Sequence, residues 1–411
     1  MAIPSFFVNC GNTHIDLVSV FIQVGTLFCL FLIVSLTVNL EFGYTGVPNF
    51  GKVLFVAAGG LIGGSLAYRL AVYILNLRST DIIASQALFT TKINQQIASD
   101  PTFGLELFLF SLAVGATIAA LVGYLASFPA IRLREDYLGM LLLAAGQFFL
   151  IFVTAYYPIT GGTQGLLVPD PLAWSSLKGL RDVIVLVVIG VATIGVFFYA
   201  ERVARSPLGR MMRAIRDNEV SSDAIGKNTV GVRRNILIIA SALSGIVGVL
   251  YVFWLPSISP TTFTRTVWTF YPFVIVILGG AANNVGVALG TLAFVGITTS
   301  LDQARTCILA NGISLPVDIN ALEPILIGVL LLIVILWRPQ GILREKPTTT
   351  IKRSKLREIF LASQKPEEQQ KMPGLSEDLA PPPPDSVEET ARKDATLTRA
   401  DPAGEPEDQK T

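Results

Sequence analysis

The residue types that carry out most catalytic and metal chemistry are scarce in this sequence. It has one histidine, His14, and three cysteines, Cys10, Cys29 and Cys307, none with the paired spacing of a zinc site. It also lacks a G-x-x-x-x-G-K-[ST] phosphate-binding loop. We therefore expect no catalytic residue, no metal, no cofactor and no nucleic-acid partner.

Charged side chains with a regular spacing are concentrated in the segment 202–234, which contains eight Lys and Arg residues. Pro207 suits the first turn of a helix, and apolar residues recur at helical spacing over 208–215. Asn218 can cap a second helix that ends near Gly226. Two short amphipathic helices are typical of a docking platform for a peripheral protein. A basic loop that only fixes membrane topology is the alternative interpretation.

Glycine and asparagine interrupt the apolar sequence at two places, Asn49–Gly51 and Asn284–Gly286. Each lies where a predicted membrane helix begins, and a helix N-terminus can receive a carboxylate. Broken segments at corresponding places in two halves of a transporter indicate a translocation site. Close helix packing through small residues is the alternative. The packing alternative agrees well with four glycines of the second predicted span, Gly59, Gly60, Gly63 and Gly64.

These features must be positioned by helices that cross a membrane. Of 411 residues, 52% are hydrophobic and 15% are charged, whereas about 25% are charged in soluble domains. A membrane span needs roughly 20 mostly apolar residues. The stretch 267–302 is too long for one span and is broken at Gly279–Asn284, so it predicts two. The other predicted spans are 17–40, 53–76, 104–128, 137–157, 182–201, 235–254 and 321–337. The sequence predicts an all-α polytopic protein with about nine transmembrane helices.

The positions of Lys and Arg predict the orientation. Both 202–234 and the segment after the last span are rich in these residues, which favours the cytoplasmic side. Nine spans then place the N-terminus outside and the C-terminus inside. Residues 1–344 form the predicted transmembrane domain. Residues 345–411 have 25 charged residues in 67 and a proline run, so we expect a disordered cytoplasmic tail. This tail either has a docking role or only increases solubility.

The predicted spans lack an ionisable relay near the membrane midplane. Glu106, Asp182, Asp302 and Glu323 all lie near span ends. Because a proton-coupled carrier generally needs such a relay, we expect transport to be powered from elsewhere. A self-sufficient secondary transporter or channel for a small polar solute stays open, since backbone carbonyls and hydroxyls can bind sodium. A membrane scaffold is a further alternative.

Several ordered motifs resemble a known family. They are Gly43-Tyr44-Thr45-Gly46, Thr160-Gly161-Gly162-Thr163-Gln164-Gly165, Ser206-Pro207-Leu208-Gly209-Arg210, Ala214-Ile215-Arg216-Asp217-Asn218-Glu219, Ala224-Ile225-Gly226, Ile258-Ser259-Pro260, Ile277-Leu278-Gly279-Gly280 and Arg338-Pro339-Gln340-Gly341. In order and spacing the chain resembles the branched-chain amino acid permeases of ATP-binding-cassette importers, specifically the Liv M-type subunit. The resemblance covers about residues 40–344.

This resemblance implies a function, partners and site residues. The chain would be a multi-pass permease of the cell membrane for branched-chain or related hydrophobic amino acids, with no enzymatic activity of its own. The implied partners are a second homologous permease in a heterodimer, two cytoplasmic P-loop ATPases, an extracytoplasmic substrate-binding protein and membrane lipid. The implied ATPase contacts are Arg213, Asp217, Glu219, Asp223 and Gly226. The Gly/Asn breaks and the family motifs suggest a substrate path at Gly43, Tyr44, Gly46, Asn49, Gly279, Gly280 and Asn284.

Two features depart from the family or stay open. Where the family usually has a serine and a Gly-His pair, this chain has Asn49 and Gly51-Lys52. This difference leaves the particular amino acid undecided. Cys10 and Cys307 are both predicted outside, which allows a disulfide between them.

Overall fold

The computed structural model of the chain describes residues 7–10, 13–79, 81–133, 135–175 and 179–310. It also describes 324–325, 327–329, 331–332, 336–338 and 340–345. The predicted span 321–337 is therefore described only in part. Of the predicted tail, only Glu345 is among the described residues.

The N-terminal half alternates between long apolar helices and short connections. A hairpin of β1 (Phe7–Cys10) and β2 (Thr13–Asp16) precedes α1 (Leu17–Val38), which continues into a π-helical turn, Asn39–Tyr44. The next helical rod consists of α2 (Lys52–Ala57), a π-helical turn (Ala58–Ile62) and α3 (Gly63–Ile74). Then follow α4 (Gln86–Ser99), α5 (Pro101–Arg132), α6 (Glu135–Ala155), α7 (Tyr157–Thr160), a 3-10 turn (Gly162–Gln164) and β3 (Leu166–Leu167).

The C-terminal half repeats this pattern around two short helices. Helix α8 (Leu180–Arg205) leads into α9 (Pro207–Asp217) and α10 (Glu219–Ala224), which precede α11 (Thr229–Trp254). Strand β4 (Ser257–Ile258) pairs with β3, and a 3-10 turn follows (Pro260–Thr262). A π-helical turn (Thr266–Phe270) then continues into α12 (Tyr271–Gly279), and α13 (Asn284–Ala310) is the final long helix described.

Seven of the described helices are long and apolar enough to span a membrane. Each matches a span predicted from the sequence, so the prediction of an all-α polytopic membrane protein is confirmed. The stretch 267–302 is broken at Gly280–Asn283, as its composition predicts, into Thr266–Gly279 and α13. The helix α4 was not predicted, because it lies in the polar connection 77–103.

Consecutive long helices run in alternating directions. The end of α1 meets the start of α2 through a salt bridge between Glu41 and Lys52. At the opposite end, Ser65 of α3 donates a hydrogen bond to the carbonyl oxygen of Ile159, just after α6, at 2.5 Å. There too, Arg181 at the start of α8 donates to the carbonyl oxygens of Phe253 and Trp254 at the end of α11. The bundle therefore has an α9–α10 end and an opposite end.

Glycines allow the rod α2–α3 to cross α11 and α5 at backbone distance. A Cβ atom on Gly60 would lie 2.7 Å from the carbonyl oxygen of Gly248, and one on Gly115 would lie 2.9 Å from that of Gly59. A Cβ atom on Gly248 would overlap the carbonyl oxygen of Val56. The small-residue packing considered for Gly59, Gly60, Gly63 and Gly64 is therefore present.

We expect Gly248→Ala to destabilise the helix bundle by about 2 kcal/mol or more, because overfilling a close-packed contact forces backbone shifts. Gly195→Ala is the matched control, since a Cβ atom there would meet nothing within 4 Å. Thermal unfolding in detergent, followed by tryptophan fluorescence, measures the difference. Equal midpoints for the two variants would contradict the packing argument.

Candidate functional site

The two short helices predicted in 202–234 form with the predicted caps. The Ser206 hydroxyl accepts a hydrogen bond from the Gly209 amide at 3.4 Å, with Pro207 in the first turn of α9. The Asn218 side chain accepts one from the Ser221 amide at 2.9 Å and so starts α10. Gly226 has a φ of 75°, the left-handed conformation that suits a helix C-terminus.

One face of α9 is anchored in the bundle. Met212 and Ile215 are buried and belong to the main hydrophobic core. A Cβ atom on Gly209 would overlap the carbonyl oxygen of Ala204, so the chain can turn sharply from α8 into α9 only with glycine there. Helix α9 therefore cannot shift without disturbing the ends of the long helices.

Two arginines of α9 contact the π-helical turn Asn39–Tyr44. The Arg213 guanidinium lies 5.0 Å from the ring centroid of Tyr44, a cation–π contact. The Arg216 guanidinium donates a hydrogen bond to the carbonyl oxygen of Gly43 at 2.6 Å. Gly46, with a φ of 79°, packs against Arg216. Helix α9 is therefore joined directly to the end of α1.

Both arginines also bind Glu345. Arg213 Nε lies 3.0 Å from one carboxylate oxygen, and Arg216 donates to the other at 2.9 Å. Backbone hydrogen bonds fix the same segment, from Ile342 N to Leu278 O at 2.9 Å and from Leu343 N to Gly279 O at 3.1 Å. Residues 340–345 thus clamp α9 against the end of α12.

The π-helical turn also binds the break between α12 and α13. Asn39 donates a hydrogen bond to the Asn284 side chain at 2.9 Å and accepts one from the Ala282 amide at 2.8 Å. Asn284 in turn donates to the Glu201 carboxylate at 2.9 Å. Gly280 has a φ of 109°, and a Cβ atom on it would overlap the Leu343 carbonyl oxygen. The ends of α1, α8, α12 and α13 therefore meet in one hydrogen-bonded cluster.

A buried ion pair closes the connection between α1 and α2. The Lys52 ammonium lies 2.7 Å from the Glu41 carboxylate, and the two side chains are 0% and 2% exposed. Asn49 donates to both carboxylate oxygens at 3.1 and 3.2 Å. The sequence pattern placed charges near span ends but did not predict that Glu41 and Lys52 pair. The sequence does indicate this pair, because Glu41 and Lys52 are the only charged residues between positions 17 and 68.

We use the term coupling cluster for these contacts among 39–52, α9, 279–284 and 340–345. The proposed path residues Gly43, Tyr44, Gly46, Asn49, Gly279, Gly280 and Asn284 all belong to it. All are buried except Gly46, which is half-buried. Their role in a substrate path stays a prediction. Sequence reasoning did not find Asn39, Arg216 or Glu345 as contact residues.

The predicted ATPase contacts divide into inward and outward groups. Arg213 faces the coupling cluster, whereas Glu219 binds Arg233 at 2.7 Å and Asp223 accepts from the Thr229 hydroxyl at 2.6 Å. These two acidic residues fix α10 to the start of α11. The outward surface includes Asp217, Asp223 and Gly226, together with Val220 and Ile225, whose side chains are 79% and 72% exposed.

In the described part of the chain, no group of three or more His, Cys, Asp and Glu side chains could hold a metal ion. Cys10 lies in β1 and Cys307 in α13, but their side chains lie outside the described set. The disulfide between them stays a hypothesis.

Comparisons with known proteins decide the family. The model of the family described as the branched-chain amino acid transport system permease component matches residues 20–335. The chain belongs to this permease family. It is 37% identical over 336 residues to the probable branched-chain amino acid transport permease protein LivM of Methanocaldococcus jannaschii, covering 82% of this chain and 96% of that protein. It is 28% identical over 255 residues to the high-affinity LivM permease of Escherichia coli, covering 56% of each. No solved structure matches the chain with significance.

Family membership and the seven apolar helices establish a multi-pass permease of the cell membrane rather than an enzyme. The resemblance found from the ordered motifs is therefore confirmed. In this permease, the Lys52 ammonium binds the Glu41 carboxylate.

Proposed function

We propose that this permease is a membrane subunit of an ATP-binding-cassette importer for branched-chain or related hydrophobic amino acids. The coupling cluster carries the proposal, because it joins an exposed pair of short helices directly to the ends of several spanning helices. The names of the relatives support the substrate class. The alternative, a self-sufficient secondary transporter or channel, does not require this connection between exposed short helices and the spanning helices.

The proposed complex contains a second homologous permease, two cytoplasmic P-loop ATPases and an extracytoplasmic substrate-binding protein, all embedded in or bound at the lipid membrane. The α9–α10 surface is the proposed ATPase contact. Exposed Val220 and Ile225 support this role, since exposed apolar side chains rimmed by charges are typical of protein interfaces. Asp217, Asp223 and Gly226 would lie beside them, and Glu219 would hold α10 in place.

The proposed topology has nine crossings, with the N-terminus outside and the C-terminus inside. Helix α13 starts at the α9–α10 end and its 27 residues rise about 40 Å. Residues 340–345 are back at the α9–α10 end, bound to α9 and α12. A return crossing between them, at the predicted span 321–337, accounts for both facts. The segment 346–411 would then be a cytoplasmic tail.

Alternating access would follow from motion of α9. ATP binding and hydrolysis on the partners would displace α9 and α10 together. Arg213 and Arg216 would transmit that displacement to Tyr44, to Gly43 and to the segment holding Glu345. Asn39 and Asn284 would carry it to the break between α12 and α13. The proposed path residues of the coupling cluster would thereby form a cytoplasmic gate.

Reconstitution of the full importer tests the proposal. Vesicles with both permeases, ATPases and the binding protein should accumulate leucine only with ATP, and omission of the ATPases should abolish uptake. Leucine accumulation by vesicles that hold only this chain, driven by an ion gradient, would support the secondary transporter instead. Complex formation with unchanged uptake after deletion of this chain would support a scaffold.

A further inference from the structure

A large groove lined by both hydroxyl-bearing and apolar side chains lies at the opposite end of the bundle from the coupling cluster. Its volume is about 650 Å³, and it lies between α6 and the segment 260–266. One wall is a single face of α6, with lining residues at positions 147, 150, 151, 154 and 155. Positions three and four apart share a helix face. The groove therefore follows α6 inward from its outer end.

The groove presents positive charge and hydroxyl groups. Five threonines line it, together with Gln147 and Arg265, and no acidic residue is among its lining residues. Arg265 is exposed and makes no ion pair within the described part of the chain. It directly precedes the helical segment Thr266–Gly279, whose N-terminus carries a positive partial charge. Both features favour a carboxylate.

The position of Gln147 shows how deep the groove reaches. This residue lies eight residues before the end of α6, a distance of about 12 Å along a helix. A polar side chain inside a membrane span that lines a cavity is typical of a substrate pathway. Neighbouring Phe148 and Phe152 are 70% and 50% exposed, and neither lines the groove. The face of α6 that lines the groove is thus distinct from the face that carries Phe148 and Phe152.

Family motifs that take no part in the coupling cluster build this groove. Gly161 and Gly165 have φ values of 74° and 79°, and a Cβ atom on Gly165 would lie 2.5 Å from the Ile258 carbonyl oxygen. This close approach allows Leu166 to pair with Ile258, which joins the loop carrying Thr163 to the segment 260–266. The motif glycines therefore hold the two sides together.

We propose that this groove is the outer part of the substrate path and receives an amino acid with an aliphatic side chain. Arg265 and the adjacent helix N-terminus attract the α-carboxylate. Leu150, Ile151 and Phe263 line the groove beside them and accommodate the aliphatic side chain. The inference rests on the proposed importer function. It places the entry of substrate at the opposite end of the bundle from the glycines of the coupling cluster.

Thiol accessibility in the assembled importer tests the location. Single cysteines are introduced by Gln147→Cys and Thr154→Cys after replacement of the three native cysteines by serine. A membrane-impermeant anionic methanethiosulfonate is added from outside. We expect both positions to react at least tenfold faster than the matched controls Phe148→Cys and Phe152→Cys, and leucine-loaded binding protein to slow the reaction. Rates equal to the controls, with and without ATP, would overturn the groove as a path.

The charge of Arg265 is tested by comparing anionic and cationic reagents at Gln147→Cys. Arg265→Gln should lower the ratio of their rates about fourfold, because the cation attracts one reagent and repels the other, while Arg265→Lys should preserve it. If Arg265→Gln leaves the ratio of the two rates unchanged but weakens affinity for the binding protein, Arg265 serves to dock that protein, and its role in attracting a carboxylate is overturned. The reaction rates of the cysteines can be measured without transport. If the cysteines react as expected but leucine uptake fails, the result contradicts only the importer proposal.

Discussion

Lys52→Met is expected to destabilise this permease by about 3–5 kcal/mol, because it leaves the Glu41 carboxylate buried without its cation. The midpoint of thermal unfolding in detergent should fall by roughly 10 °C. Asn49 still donates to Glu41 in the variant, but neutral hydrogen bonds do not replace a charge partner in a buried site.

The double variant Glu41→Gln/Lys52→Met distinguishes the effect of the lost charge on stability from the effect of lost packing. It removes both charges and keeps side chains of similar volume, and replacing a buried ion pair in this way is often neutral or stabilising. We therefore expect it to unfold close to the parent temperature. A double variant as unstable as Lys52→Met would show that the ammonium is needed for something other than balancing Glu41.

This ion pair also shows what sequence reasoning can and cannot find. Spans were predictable because the cost of burying backbone in lipid forces long apolar helices. The break at Gly280–Asn283 was predictable because glycine readily adopts a conformation such as the φ of 109° at Gly280. Glu41 and Lys52 are only 11 positions apart and were within reach of the same reasoning.

Contacts between residues far apart in the sequence could not be predicted from the sequence. Arg216 binds Gly43 and Glu345, which lie 173 and 129 positions away, and no periodicity relates such residues. The groove beside α6 likewise brings α6 and Arg265 together through the pairing of β3 with β4. Composition predicted the long helices and the two short helices of 202–234, whereas the tertiary packing decided which ends meet. The cluster therefore links residues that the sequence had suggested separately for a substrate path and for coupling.

The double variant Val220→Asp/Ile225→Asp should weaken ATPase binding about a hundredfold and abolish leucine uptake. Both side chains are exposed, so the substitution leaves the fold of the permease intact. In the assembled complex they would be buried, and an interface that loses apolar anchors and gains buried charge loses about 3 kcal/mol or more. Titration of purified ATPase onto the detergent-solubilised permease measures the affinity.

Leu88→Asp is the matched control for this experiment. Leu88 is 68% exposed and lies in α4, in the connection 77–103 that follows α3 at the opposite end of the bundle. The same change from an apolar to a charged residue there should leave ATPase affinity unchanged. If the double variant binds ATPase as tightly as this control, α9 and α10 are not the docking surface. In that case the arginine contacts of α9 would serve only to fix the ends of the spanning helices, and the drive for transport would have to enter the permease elsewhere.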